Sequence, residues 1–182
     1  YLEDLLAARS TWSTLASELP VDPLVIGGFV AMCGGSIAAL RLALEHGVGF
    51  HVGGGLHHAF PDHAEGFCYL HDVAIAVERL REDEGIDRVL FIDTDVHQGN
   101  GTAVIYGGDR DTFTYSIHQE RNYPVKQRSD LDRGLDDGIE HAFFDDAEVG
   151  PHTVLKHRPI VRLRRLGLLL LCGGEPWTDG QA

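Results

Sequence analysis

Two short stretches of the chain gather side chains suited to hydrolytic chemistry. In Asp93-Thr-Asp95-Val-His97-Gln-Gly-Asn-Gly101, carboxylates and an imidazole stand at positions 93, 95 and 97, followed by two glycines. In an extended segment this alternation points all three the same way. An Asp95 oxygen and a His97 nitrogen are ligand types that zinc takes, and a catalytic site needs one more protein ligand and a position for water. The other stretch, Gly53-Gly-Gly-Leu-His57-His58-Ala, sets two adjacent histidines after a run of glycines. A solitary Asp-x-His is more often a helix cap beside a hydrogen-bonded loop histidine. The histidine pair is what packing does not explain.

Zinc polarises a carbonyl and lowers the pKa of its bound water, and a neutral imidazole then removes a proton from that water. Imidazole suits the task because it titrates near neutrality. His57 and His58 are therefore candidate proton carriers. A carboxylate or amide behind each ring would fix its tautomer, and Asp93 and Asn100 are the available partners. Between the two stretches, Gly66-Phe67-Cys68-Tyr69 puts an aromatic beside a glycine whose backbone can press on a substrate. An apolar slot there would suit the methylene stem of a lysine, although Phe67 as an ordinary core residue is an equally good reading.

The elements that must position these residues follow from periodicity. Ile37, Leu40 and Leu44 recur at helical spacing, with Gly47 where a left-handed cap would sit. Val48 to Val52 reads as a short buried strand, ended by Gly53 to Gly55. Asp72 is a plausible N-cap for a helix with Val73, Val77 and Leu80 on one face, ending near Gly85. The apolar run from Arg88 to Asp93 has the pattern of a parallel strand covered on both faces, and Thr112 to Ile117 resembles it. Helices alternating with strands imply an α/β fold with right-handed crossovers and a parallel sheet, whose sites gather at the carboxyl ends of the strands. From about Ile139 the periodicity decays, and Arg162, Arg164 and Arg165 interrupt it.

With 182 residues, one domain is expected. The net charge of −13 argues against direct nucleic-acid binding, which needs a basic face. Cys33, Cys68 and Cys172 form no Cys-x-x-Cys pair, so no disulfide framework or thiolate zinc site is indicated, and a reducing cytoplasm fits best. The longest apolar run, Leu168 to Cys172, is too short to span a bilayer, and Tyr1 opens no signal-like segment, so no membrane partner is expected.

Four motifs, Gly-Gly-Gly-Leu-His57-His58-Ala, Gly66-Phe-Cys-Tyr, Asp93-Thr-Asp95-Val-His97-Gln-Gly-Asn-Gly and Tyr115-Ser-Ile-His118, together resemble the arginase–deacetylase superfamily, specifically its zinc-dependent histone deacetylases. Gln98-Gly-Asn100 and Glu120-Arg-Asn-Tyr123-Pro124 are most similar to the class IV branch and its bacterial relatives. The resemblance runs from about Tyr1 to Gly138; residues 139–182 diverge as a truncated tail. It implies a three-layer α/β/α fold with a mainly parallel sheet. It also implies one zinc per chain on Asp95 and His97, a proton-transfer pair in His57 and His58, and support of His57 by Asp93 and of His58 by Asn100. Gly66, Phe67 and Tyr123 would line the acyl-lysine channel. Asp93 and Ser116 would border a monovalent-cation (K⁺) site. The implied reaction is hydrolysis of N-acetyl-lysine, in a histone or other protein, or of an acetylated small amine, by metal-bound water. The implied location is cytoplasmic, or nuclear in a eukaryote.

The sequence departs from the family in two places. Where the family has a third zinc ligand in a segment like Ala-Gly-Ala-Asp-Pro, this chain reads Cys172-Gly-Gly-Glu175-Pro176, making Glu175 the candidate ligand ahead of Asp179. The family's oxyanion-stabilising tyrosine lies farther along than Ala182, and losing one oxyanion donor costs on the order of a hundredfold to a thousandfold in rate. A fragment incomplete at both ends, weak or inactive alone, is therefore expected, with a degraded or frame-shifted tail from Ile139 to Leu171. Two alternatives are a catalytically dead acyl-lysine-binding or scaffold protein and a two-manganese ureohydrolase. Gly99 disfavours the latter, which has a further aspartate ligand there.

Overall fold

The computed structural model describes residues 1–138 and the strand at 166–171. Two short helices, α1 (Leu2–Leu6) and α2 (Trp12–Leu15), precede α3 (Pro23–His46) and α4 (Asp72–Glu84). Then come β1 (Arg88–Asp93), α5 (Asn100–Ile105), β2 (Thr112–Gln119), β3 (Leu131–Leu135) and β4 (Leu166–Leu171). The sheet runs β3-β2-β1-β4 and every pairing is parallel. It is the parallel α/β sheet that the alternation of helices and strands predicts.

Local chemistry sets the helix ends. The Asp22 side chain accepts the Leu24 N–H at 2.8 Å, and Pro23 sits in the first turn, where its missing N–H costs nothing. Gly47 closes α3 at φ 87°, its N–H donating to the Ala43 carbonyl at 2.8 Å. Helix α4 likewise stops at Gly85, φ 62°. Its start differs from the sequence-based expectation: His71 is the cap, with Nδ1 accepting the Ala74 N–H at 3.2 Å. Asp72 serves elsewhere, as its buried carboxylate accepts from the backbone N–H groups of Gly55 (3.2 Å) and Leu56 (2.7 Å) and from the Ser36 hydroxyl.

Val89 and Phe91 alternate with less buried residues along β1 and meet Val73, Val77 and Leu80 of α4, while Ile37, Leu40 and Leu44 of α3 pack behind. Each such side chain taken from water contributes about 1.5–3 kcal/mol. Leu90 and Ile92, on the other face of β1, are only partly covered. A second cluster joins Leu5, Ile26, Phe29 and Tyr69, with the Phe29 and Tyr69 rings edge to face at 5.2 Å.

Two further expectations are corrected. Residues 48–52 form no strand, and Phe50 and Val52 are 82% and 89% exposed. Among the described residues no neighbouring strand takes up their backbone groups; Gly49 lies so close to α3 that a Cβ would fall 1.9 Å from the Ala39 carbonyl oxygen. Nor is Leu168 to Cys172 the limiting apolar stretch. Among the described residues, α3 is the one helix long and apolar enough to cross a membrane by length and composition alone. Its glycines and serine mask this in a search for unbroken large apolar residues. Ile26, Phe29 and Cys33 on it are buried, while Leu24, Val30 and Leu42 are exposed.

Candidate active site

Asp93 ends β1 on the face that carries Val89 and Phe91, so strand alternation buries its carboxylate at the edge of the core. Beyond it the chain is not extended, which corrects the simple alternation expected for residues 93, 95 and 97. Instead Asp93 Oδ1 accepts the Asp95 N–H at 3.0 Å, and Asp95 Oδ1 accepts the His97 N–H at 2.7 Å. Two consecutive carboxylate-to-backbone turns thus gather side chains that a straight strand would have spaced out. His97 Nδ1 lies 3.5 Å from Asp95 Oδ1, and His57 Nε2 lies 3.9 Å from that same oxygen.

The histidine pair reaches this point because the glycine-rich loop is held from below by Asp72 and from the side by α5. Thr102 donates its N–H to the His57 carbonyl at 3.3 Å. A Cβ on Gly101 would stand 2.4 Å from the Ala59 carbonyl oxygen, and one on Gly99 would stand 2.3 Å from Asp93 Oδ2. Both positions therefore exclude a side chain, and Gly99 leaves no room for the extra aspartate of a two-metal site. His57 Nδ1 donates to Asp93 Oδ2 at 2.6 Å, and His58 Nδ1 donates to Asn100 Oδ1 at 2.7 Å. The two rings lie 4.1 Å apart.

The partners drive the two imidazoles apart electrostatically. Burial disfavours charge on His57, but Asp93, with Asp95 and Asp72 farther out, outweighs it and raises the pKa. For His58, burial and then the neighbouring His57 push the pKa down to about 3, since the neutral amide of Asn100 cannot compensate. Burial also works against the Asp95 carboxylate, yet hydrogen bonding with His97 and the charge of His57 keep it below the usual carboxylate range.

Gly66 and Phe67 are the central residues of a tight turn bridged by Glu65 and Cys68, at φ 50° and 62°. Phe67 is 60% exposed, so it is not an ordinary core residue. Tyr123 stands edge-on to His58 (5.1 Å) and His97 (5.5 Å). Gly66 leaves the space, for a Cβ there would meet the Tyr123 hydroxyl at 2.4 Å and His58 Cδ2 at 2.7 Å. Ser116 is the register partner of Asp93 on β2, and its hydroxyl pairs with His118 Nδ1 at 2.9 Å.

Asp95 and His97 are a hard oxygen and an imidazole nitrogen side by side, donors of the kind zinc accepts. No three His, Cys, Asp or Glu side chains form a complete metal cage among the described residues. Glu175 and Asp179, the candidates for a third ligand, lie outside those residues, as does the tail at 139–165 and 172–182. Sequence reasoning missed Asp72 as the anchor of the glycine loop and missed Glu65. It also missed Gln98, a buried side chain bonded to the Gln127 backbone and Asp132. A buried polar residue tied to distant backbone leaves no periodic trace, although the acidic residue beside Gly66-Phe67 was a usable hint.

Residues 1–149 match the histone deacetylase domain model. The chain is 46% identical over 123 residues to an uncharacterized protein of Picosynechococcus sp., covering 67% of this chain and 41% of that one. It is 34% identical over 151 residues to the acetoin utilization protein AcuC of Staphylococcus aureus, covering 78% and 39% respectively. It is 43% identical over 121 residues to a probable deacetylase of Methanothermobacter thermautotrophicus, covering 66% and 36%. The chain thus spans 36–41% of the length of these curated relatives.

Proposed function

Since the chain belongs to the histone deacetylase family, we propose that it carries the proton-transfer pair and two metal ligands of a zinc-dependent deacetylase. The substrate would be an N-acetyl-lysine in a protein, or an acetylated small amine. The observation that carries this reading is the matched pair of imidazoles, each with Nδ1 committed to a fixed acceptor and Nε2 left for the substrate side. The 3.9 Å separation of His57 Nε2 from Asp95, the proposed metal ligand, supports the reading.

Asp95 and His97 would hold the ion, with a further donor from outside the described residues. Zinc held there would supply Lewis-acid polarisation of the acyl carbonyl and acidification of water. The chain's own residues divide the remaining work. His58, neutral because it is buried against a neutral amide, accepts a proton at Nε2. His57, kept charged by Asp93, stabilises negative charge developing on the carbonyl oxygen. Tyr123 stands beside the pair, and Phe67, exposed on the turn after Gly66, would add an apolar surface suited to the methylene stem of a lysine.

A fluorogenic acetyl-lysine peptide, offered with zinc to this chain and to a version completed at both ends, tests the reading. Turnover by the completed version, lost on His58→Ala, is the expected result. Silence of the completed version while it still binds the peptide would leave an acyl-lysine-binding protein instead.

A further inference from the structure

We propose that Glu65 is a positioning residue, one of whose carboxylate oxygens sets both the tautomer of His58 and the place of the Tyr123 ring beside it. Oε1 accepts from Asn100 Nδ2 at 2.9 Å and from the Tyr123 hydroxyl at 3.0 Å. An ionised carboxylate can only accept, so Asn100 must turn its amide N–H₂ toward Glu65. Its Oδ1 is thereby directed at His58 and also accepts the Gly101 N–H at 3.0 Å. Facing an acceptor, His58 must carry its proton on Nδ1 and keep Nε2 as a lone pair. The tautomer of that second imidazole is thus set two hydrogen bonds away, by Glu65 acting together with the Gly101 N–H on the Asn100 amide.

The geometry around Glu65 is built to hold this arrangement. Its backbone is locked by paired hydrogen bonds with Cys68, Glu65 N–H to the Cys68 carbonyl at 3.2 Å and Cys68 N–H to the Glu65 carbonyl at 2.9 Å. The next residue, Gly66, lets the Tyr123 hydroxyl come close enough to reach the carboxylate. Burial and then the Glu65 hydrogen bond raise the Tyr123 pKa, so the hydroxyl stays a donor. The other oxygen, Oε2, has His63 Nε2 3.7 Å away. The inference rests on the deacetylase reading only for the meaning of His58 as a proton carrier; the tautomer itself needs neither substrate nor metal.

Long-range ¹H–¹⁵N spectra of the labelled 182-residue chain report which imidazole nitrogen is protonated. Native His58 is expected as the Nδ1–H tautomer, with ring contacts to Tyr123. In Glu65→Ala, His58 should become a mixture of tautomers and its contacts with Tyr123 should weaken. Glu65→Asp, which keeps an acceptor-only carboxylate, should retain more of the native pattern than Glu65→Ala does. An unchanged tautomer and an unchanged Tyr123 contact in Glu65→Ala would overturn the proposal. Glu65→Leu, closer in size, is read by the same two criteria should the alanine variant fail to fold. Failure here with turnover by the completed native protein intact would sink only the role of Glu65, whereas the expected tautomer shift together with a completed native protein that never turns over would sink the deacetylase reading and leave Glu65 standing.

Discussion

The strand side and the loop side of the site treat two adjacent, equally buried histidines in opposite ways. On the strand side His57 leans on Asp93, a charged residue at the end of β1, and its pKa rises. On the loop side His58 leans on Asn100, a neutral amide tied through Glu65 to Tyr123, and its pKa falls to about 3. Burial alone would have lowered both. The difference teaches that the charge around a buried imidazole, led by its supporting partner, can push two identical side chains in opposite directions and so suit them to different work.

The most damaging way to break this contrast is to neutralise its charged half. Asp93→Asn should return His57 to the neutral state that burial favours, and should cut kcat of the completed enzyme by on the order of a hundredfold or more. Steady-state kinetics with an acetyl-lysine peptide, checked by circular dichroism for folding, reads this. A variant that keeps full activity would mean that charge on His57 is irrelevant.

Charging the other half instead sharpens the contrast. Asn100→Asp should lift the His58 pKa well above 3, visible in an NMR titration. Because Glu65 Oε1 sits 2.9 Å from the replaced amide nitrogen, the new carboxylate meets a like charge, and the melting temperature should fall by several degrees. A smaller effect comes from acid. His71, fully buried with its Nε2 against the Thr102 hydroxyl, is held down to about 3, chiefly by burial and then by the charge on His57. Unfolded histidine titrates near 6.5, so between about pH 6.5 and 3 the unfolded chain binds protons that His71 and His58 refuse in the fold. The stability these two groups leave intact is therefore full above that window and lost as pH falls through it, and urea midpoints at pH 7.5 and 5 should show the decline. The slightest change is expected from Phe67→Asn. Asn visits the left-handed region, which costs most residues about 1–2 kcal/mol, more readily than Phe because its short side chain can hydrogen-bond the local backbone, so stability should hold or rise slightly while KM for the acetyl-lysine peptide increases.

Much of this arrangement was legible in the amino-acid order. The Gly47 and Gly85 helix ends, the Arg88 to Asp93 strand and its parallel neighbour depend on short-range periodicity and backbone preference, and they stand where those rules put them. The supports of the two histidines, Asp93 for His57 and Asn100 for His58, were also within reach, because a ligand-like histidine needs a partner and few were on offer. Residues 48–52 were misread for the complementary reason. Alternating Val, Phe and Val satisfy a strand pattern, but a strand exists only when a neighbour accepts its hydrogen bonds, and nothing in the local order supplies one.

By itself, then, the sequence determined the types of chemistry available: imidazoles, carboxylates and glycines at spacings that admit a hydrolytic metal site. Tertiary structure decided which of them act together. Asp72 was free to cap its own helix, yet the fold spends it on the Gly55 and Leu56 amides and leaves the cap to His71. Glu65 belongs to none of the motifs legible in the sequence, and becomes the acceptor that orients Asn100. The physical reason is range. Propensity and periodicity act over a few residues, whereas the pairing of a buried donor with its acceptor spans gaps of 16, 35 or 58 residues and is set only when the chain has closed.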